Sequence, residues 1–156
     1  MSTERSDGST DRIARTIVLR APRARVWRAL AHADEFGAWF GVALDGTFAP
    51  GARLSGRLTT PGHEHLTLEI TIERVEPEHL LSYRWHPYAV EPGVDYASEP
   101  TTLVEFHLAE VADGTQLTVV ESGFDSIPPA RRATAFRRNE QGWAEQLTHI
   151  ARYVAT

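Results

Sequence analysis

Among the ionisable side chains, Glu121 has the setting best suited to chemistry. It closes a run in which Leu117, Val119 and Glu121 alternate with Thr118 and Val120. Every second side chain of a strand points to the same face. The carboxyl therefore shares its face with two apolar residues. A carboxyl held in an apolar interior should have a raised pKa, and it can orient a polar ligand or serve as an acid or base. The plainer alternative is that the strand has ended by then, with Glu121 at a rim or paired with an arginine. Trp39, Tyr83, Trp85, Phe106, Phe124 and Trp143 also fall on expected inner faces. Together with Leu147 they are candidates to line a pocket for a flat or hydrophobic ligand. Against this stands simple core packing, the commoner fate of such residues. Trp143 stands out because Gly142 beside it removes a side chain, which lets a helix approach a sheet or bend. Glu121, Tyr83 or Asn139 would fix the orientation of a ligand held there.

Other chemistry-bearing groups carry less. His86, Tyr88, Asp95, Tyr96 and Glu99 lie in a long, proline-stiffened stretch, 86–102, which can act as a lid or as a plain connector. His63 and His65 flank Glu64 in an expected turn, but a metal site needs a third ligand and no HExxH is present. They read as a solvated turn, and no metal or cofactor is expected. His107 should face solvent. Arg131, Arg132, Arg137 and Arg138 read as a solvated helical face paired with Glu140 and Glu145. The chain has no cysteine, and all sixteen of its basic residues are arginine. Thiolate catalysis, cysteine-ligated zinc, iron–sulfur clusters, a Schiff-base lysine and a phosphate-loop lysine are thereby excluded.

These groups must be positioned by a definite order of elements. Residues 1–11 are polar, with Ser, Thr, Asp and Gly prominent, and are expected to be a disordered tail. Residues 12–156 are expected to form a single domain. A first strand is predicted over Arg12–Leu19. Pro22 then opens a helix at its first turn, running to about Ala31, followed by a short helix near Asp34–Trp39 with Asp34 as its cap. From Val42 to Val120 the period changes from helical to strand-like. Leu66, Leu68, Ile70 and Ile72 alternate strictly with polar residues, which indicates an antiparallel sheet with one wet face. Asp113-Gly114 marks a hairpin between two apolar runs. The last helix is predicted over about Pro129–Ala155, with Phe136, Trp143, Leu147, Ile150 and Val154 on one stripe. The expected class is α+β: a curved antiparallel sheet of six to seven strands, two short helices, and a long C-terminal helix across the sheet.

Composition agrees with a soluble protein. Net charge is -5, which argues against a polyanion such as nucleic acid as partner. No apolar run approaches the length of a membrane span, and the N-terminus lacks an apolar signal core. The default location is the cytoplasm.

Six segments carry a family resemblance: APRARVWRAL (21–30), FGAWFG (36–41), APGARLSGRL (49–58), VEPEHLLSYRW (75–85), DGTQLTVVESGF (113–124) and GWAEQLTHIARYV (142–154). They resemble the SRPBCC (START/Bet v 1-like) superfamily, in the branch related to the C-terminal domain of the activator of Hsp90 ATPase. The resemblance implies a helix-grip fold over about residues 12–155. It also implies several functions hosted on one scaffold: binding of sterols, lipids, flavonoids or polyketides, and cochaperone roles. None of the matched segments transfers a catalytic residue. The function expected is binding of a small hydrophobic or aromatic molecule between the sheet and the last helix, without catalysis. The alternatives are a polyketide cyclase or aromatase that uses Glu121, and a chaperone-interaction module. A homodimer is compatible with the sequence, and no residue marks its surface.

Overall fold

The structure is a computed structural model and describes residues 11–88 and 95–155. The N-terminal tail expected at residues 1–11 lies almost entirely outside them. Seven strands form one antiparallel sheet: β1 (Arg12–Leu19), β2 (Val42–Asp45), β3 (Arg53–Leu58), β4 (Thr67–Glu76), β5 (Leu80–Trp85), β6 (Thr102–Val111) and β7 (Gly114–Ser122). Their spatial order is β1-β7-β6-β5-β4-β3-β2. Three helices complete the fold: α1 (Arg23–Ala31), α2 (Ala33–Phe40) and α3 (Pro129–Val154). The arrangement is α+β, an open curved sheet with the long α3 in the helix-grip position.

The alternation in the sequence sets the inner face. Leu54, Ile70, Ile72, Leu81, Tyr83, Val104, Phe106, Leu117 and Val119 are all buried. A register shift between Ile72 and Arg74 where β4 meets β5 is a bulge, and bulges bend and twist a strand. Gly37 and Gly56 let β2 sit tightly between α2 and β3. A Cβ on either would come 2.1 Å from a backbone oxygen, that of Val42 and Ala43 respectively.

Several local expectations are corrected. Pro22 is the residue before α1, not its first turn. Its extended conformation leaves the carbonyl to accept from the amides of Arg25 and Val26. Asp34 does not cap α2. His32 takes that position without a side-chain bond, and Asp34 falls in the first turn. There it still faces the positive end of the helix dipole favourably. A short 3-10 turn at Phe124–Ser126 precedes α3. The buried stripe of α3 is Ala135, Trp143, Leu147, Ile150 and Val154. Phe136 is only half-buried, because it turns toward Phe124, with ring centroids 5.1 Å apart. Among the described residues no helix is long and apolar enough to cross a membrane.

Candidate functional site

Strand register brings the polar centre together. Trp85 lies opposite Thr102 on β5 and β6, and Val104 lies opposite Glu121 on β6 and β7. Residues 102 and 104 share a face, so Trp85, Thr102 and Glu121 converge on the inner side of the sheet. From α3, Asn139 and Trp143 reach the same point, four residues apart and so one turn above each other.

The result is a buried carboxylate held by five hydrogen bonds. Glu121 is fully buried. Its Oε2 accepts from the Thr102 hydroxyl at 2.6 Å and from Trp85 Nε1–H at 2.8 Å. Its Oε1 accepts from Trp143 Nε1–H at 2.8 Å. The Asn139 amide donates to both oxygens, at 3.0 and 3.1 Å. The strand has not ended at Glu121, and among the described residues no arginine pairs with it. All four donor residues are neutral. Burial pushes the carboxyl pKa above the ordinary glutamate range, while the bonds from Thr102, Trp85, Trp143 and Asn139 pull it down. The Tyr83 phenol is raised as well, by burial first and then by the charge of Glu121. Its oxygen is buried without a hydrogen-bond partner.

The aromatics divide into two sets. Tyr83, Phe106 and Phe124 are wholly buried, and Leu147 is nearly so. They fill the space between sheet and helix as packed core, with Tyr83 and Phe106 rings at 6.0 Å. Trp39 is also core, and its indole N–H donates to the Ala29 carbonyl at 2.8 Å. Trp85 and Trp143 differ. They stack at 5.7 Å and 28°; Trp143 is buried and Trp85 half-buried, and both line open space.

That space is a groove at one end of the sheet–helix sandwich. One part, about 190 Å³, is bounded by Phe40, Trp85, Asn139, Gly142, Trp143 and the α3 residues Glu145, Gln146 and His149. A second part, about 410 Å³, shares Phe40, Trp85 and Asn139. It continues past Leu58, Leu66 and Leu68 to His86, Tyr88, Asp95 and Tyr96. Of the residues expected to line a pocket, Trp85, Asn139 and Trp143 do so. Glu121 lies behind them, while Trp39, Tyr83, Phe106, Phe124 and Leu147 border neither part. Gly142 does not serve close packing as its sequence position suggests. A Cβ there would meet nothing within 4 Å. Phe40, Thr102 and the leucines of β3 and β4 were not among the expected site residues. Thr102 could have been found by stepping the β6 alternation back two residues from Val104.

The segment after β5 forms one wall. Asp95 caps a short turn by accepting from the Ala97 amide at 3.0 Å. The expected pairing of Arg131 with Glu140 or Glu145 is corrected. Arg131 donates to Glu99 Oε1 at 3.0 and 2.8 Å, and to the carbonyls of Pro87 and Tyr88 at 3.0 and 3.2 Å. It also lies 4.8 Å over the Tyr96 ring. Residues 89–94 of the proposed lid lie outside the described residues. His63, His65 and His107 are exposed. Among the described residues no cluster of three His, Asp or Glu is placed to hold a metal ion.

Comparison with known proteins gives the fold a context. Protein MLL2253 of Mesorhizobium loti superposes with a TM-score of 0.73 at 23% identity, covering 92% of this chain and 96% of that one. A Rhodobacter sphaeroides protein gives 0.71 at 22%, covering 96% and 95%. DynU16, a protein of the dynemicin biosynthetic locus, gives 0.71 at 26% and covers 94% of this chain. This chain spans about half of DynU16, 48% of its length. No curated protein matches the sequence. The family model described as activator of Hsp90 ATPase homolog 1-like protein matches residues 20–155, nearly the whole chain, and the protein belongs to that family.

Proposed function

We propose that this protein binds a small hydrophobic or aromatic molecule in the groove bordered by Phe40, Trp85, Asn139 and Trp143. The reading differs from an internal cavity, since the space deeper in is occupied by Tyr83 and Phe106. Gly142 is the observation that carries it. Glycine inside a helix costs about 1 kcal/mol relative to alanine. At Gly142 no packing contact requires it, because a Cβ would enter open space, and that space is the groove. The residue keeps the groove wide at the expense of helix stability. The apolar walls with a few convergent polar groups are those of a small-molecule site.

The two alternatives have less behind them. Acid–base work by Glu121 would require the carboxylate to leave five hydrogen bonds, and it borders neither part of the groove. The likeness to a protein of the dynemicin locus adds no catalytic group. A chaperone-binding module calls for an apolar surface patch. Val18 is the exposed large hydrophobic residue among those described.

The test uses Gly142→Ala and Gly142→Phe with a neutral environment-sensitive dye, N-phenyl-1-naphthylamine. Gly142→Ala should stabilise the fold by about 1 kcal/mol in thermal unfolding. Gly142→Phe should stay folded and lose dye fluorescence enhancement by about tenfold or more, since the ring occupies the smaller part of the groove. Unchanged dye binding by a folded Gly142→Phe protein would remove the groove from consideration.

A further inference from the structure

We infer that the groove selects a ligand carrying a positive charge, an organic ammonium joined to a hydrophobic body, with the charge seated against the half-buried rings of Trp85 and Phe40. The inference rests on the groove reading above and names the class of molecule it takes.

The first observation is the lack of a cation at Glu121. Each carboxylate oxygen meets an indole N–H, which can only donate. The remaining partners, Thr102 and Asn139, are neutral too. At pH above its raised pKa the carboxyl is ionised, and the cage then solvates the negative charge without cancelling it. Buried charges are screened far less than surface ones, so the field of the carboxylate extends to the groove beyond the two indoles.

The second observation is the identity of those intervening groups. Aromatic faces are electron-rich and attract cations, tryptophan most strongly. Trp85 and Trp143 each donate to the carboxylate, and hydrogen bonding in a low-dielectric interior polarises the groups in a chain. Phe40 adds a third ring, 6.1 Å from Trp85 and 6.3 Å from Trp143. The smaller part of the groove, about 190 Å³, suits a compact ammonium head. The larger part offers Leu58, Leu66 and Leu68 to an apolar body.

The third observation is the charge of the rim. Among the described residues no arginine borders either part of the groove, whereas Glu145 borders the first, and Glu69 and Asp95 the second. Each of the two histidines present has one ring nitrogen engaged: His149 with Gln146 at 2.8 Å, and His86 with the Glu99 carbonyl at 3.1 Å. Two arginines contact residues of the groove wall. Arg131 is neutralised by Glu99, and Arg138 lies 5.8 Å over the Tyr88 ring. Among the described residues, a carboxylate ligand would find no arginine lining the groove itself. An ammonium finds π faces and a negative field.

Three probes test this: benzyltrimethylammonium, its isosteric carbon analogue neopentylbenzene, and the anion 3-phenylpropionate. Binding is followed by tryptophan fluorescence and saturation-transfer NMR on the full chain. The cation should bind at least about tenfold more tightly than the neutral analogue, with the anion weakest. Gly142→Phe should abolish cation binding. In Glu121→Gln the preference for the cation over the neutral probe should collapse. Should that variant not fold, the order of the three probes on the unmodified protein decides alone. Equal binding of cation and neutral probe overturns the inference and leaves the groove reading intact. If the neutral dye binds and the cation does not, the result is the same. If neither binds, both readings fall.

Discussion

At the scale of single residues, Glu121 sets two physical effects against each other. Burial disfavours its charge, and five donated hydrogen bonds favour it, with burial the larger. A carboxyl whose folded pKa is raised holds its proton to higher pH than it does in the unfolded chain. Between the ordinary glutamate value near 4.5 and the higher folded value, the folded state binds more protons than the unfolded state. Stability then falls as pH rises through that window. Glu35 acts in the opposite sense. Burial raises its pKa, but Arg25, Tyr153 and Arg28 together leave it lowered. Its contribution is present above the ordinary value and is lost as pH falls. Urea unfolding from pH 4 to 8 should therefore show a declining component that disappears in Glu121→Gln, which has no proton to release. A pH profile that is the same in both proteins would show that Glu121 does not titrate there. That this carboxyl is buried was legible from the Leu117–Val119–Glu121 alternation. The identity of its partners was not. They come from β5, β6 and α3, and only the register and the helix azimuth bring Trp85, Thr102, Asn139 and Trp143 to one point.

At the scale of elements, α3 does two jobs with two stretches. Its second half, from Trp143 to Val154, supplies all of the buried stripe but Ala135, and the 3.6-residue period revealed it directly. Its first turn holds the segment after β5 through Arg131. The arginine side chain is largely buried, and its five N–H groups allow it to bind a carboxylate and two carbonyls at once. Lysine has one nitrogen and cannot span them. Arg131→Lys should therefore behave much like Arg131→Ala. In both, amides of residues 86–88 and 95–101 should exchange faster by hydrogen-exchange mass spectrometry, consistent with loss of a partly buried ion pair and its hydrogen bonds, about 1–3 kcal/mol. Protection across β6 and β7 should stay as it is. If Arg131→Lys retains full protection, charge alone rather than the fork holds the segment. This hub was missed in the sequence because helical i, i+4 spacing favours Glu140 and Glu145 as partners. The actual partner, Glu99, lies 32 residues away in a stretch with no periodicity to place it.

At the scale of the whole molecule, stability and the candidate site occupy different ends of the same sandwich. The alternating strands foretold the antiparallel sheet and the helix across it. They also suggested that the aromatics would surround one cavity, and here composition misleads. Periodicity tells which face a ring takes, but not whether the rings meet. Whether they meet depends on sheet curvature, which the β4 bulge and the close contacts at Gly37 and Gly56 help to set. The consequence is a separation that mutation can expose. Leu117 is fully buried on β7, between Ile17 of β1 and Leu108 of β6 in register, and borders neither part of the groove. Leu117→Ala should cost about 2–5 kcal/mol through lost burial and the void left behind. Its affinity for N-phenyl-1-naphthylamine, measured below the unfolding transition, should remain that of the unmodified protein. Gly142→Phe should show the reverse pattern, with binding lost and stability kept. If Leu117→Ala weakens the dye as strongly as Gly142→Phe does, core and groove form one cooperative unit, and occupancy of the groove must then be felt throughout the sheet.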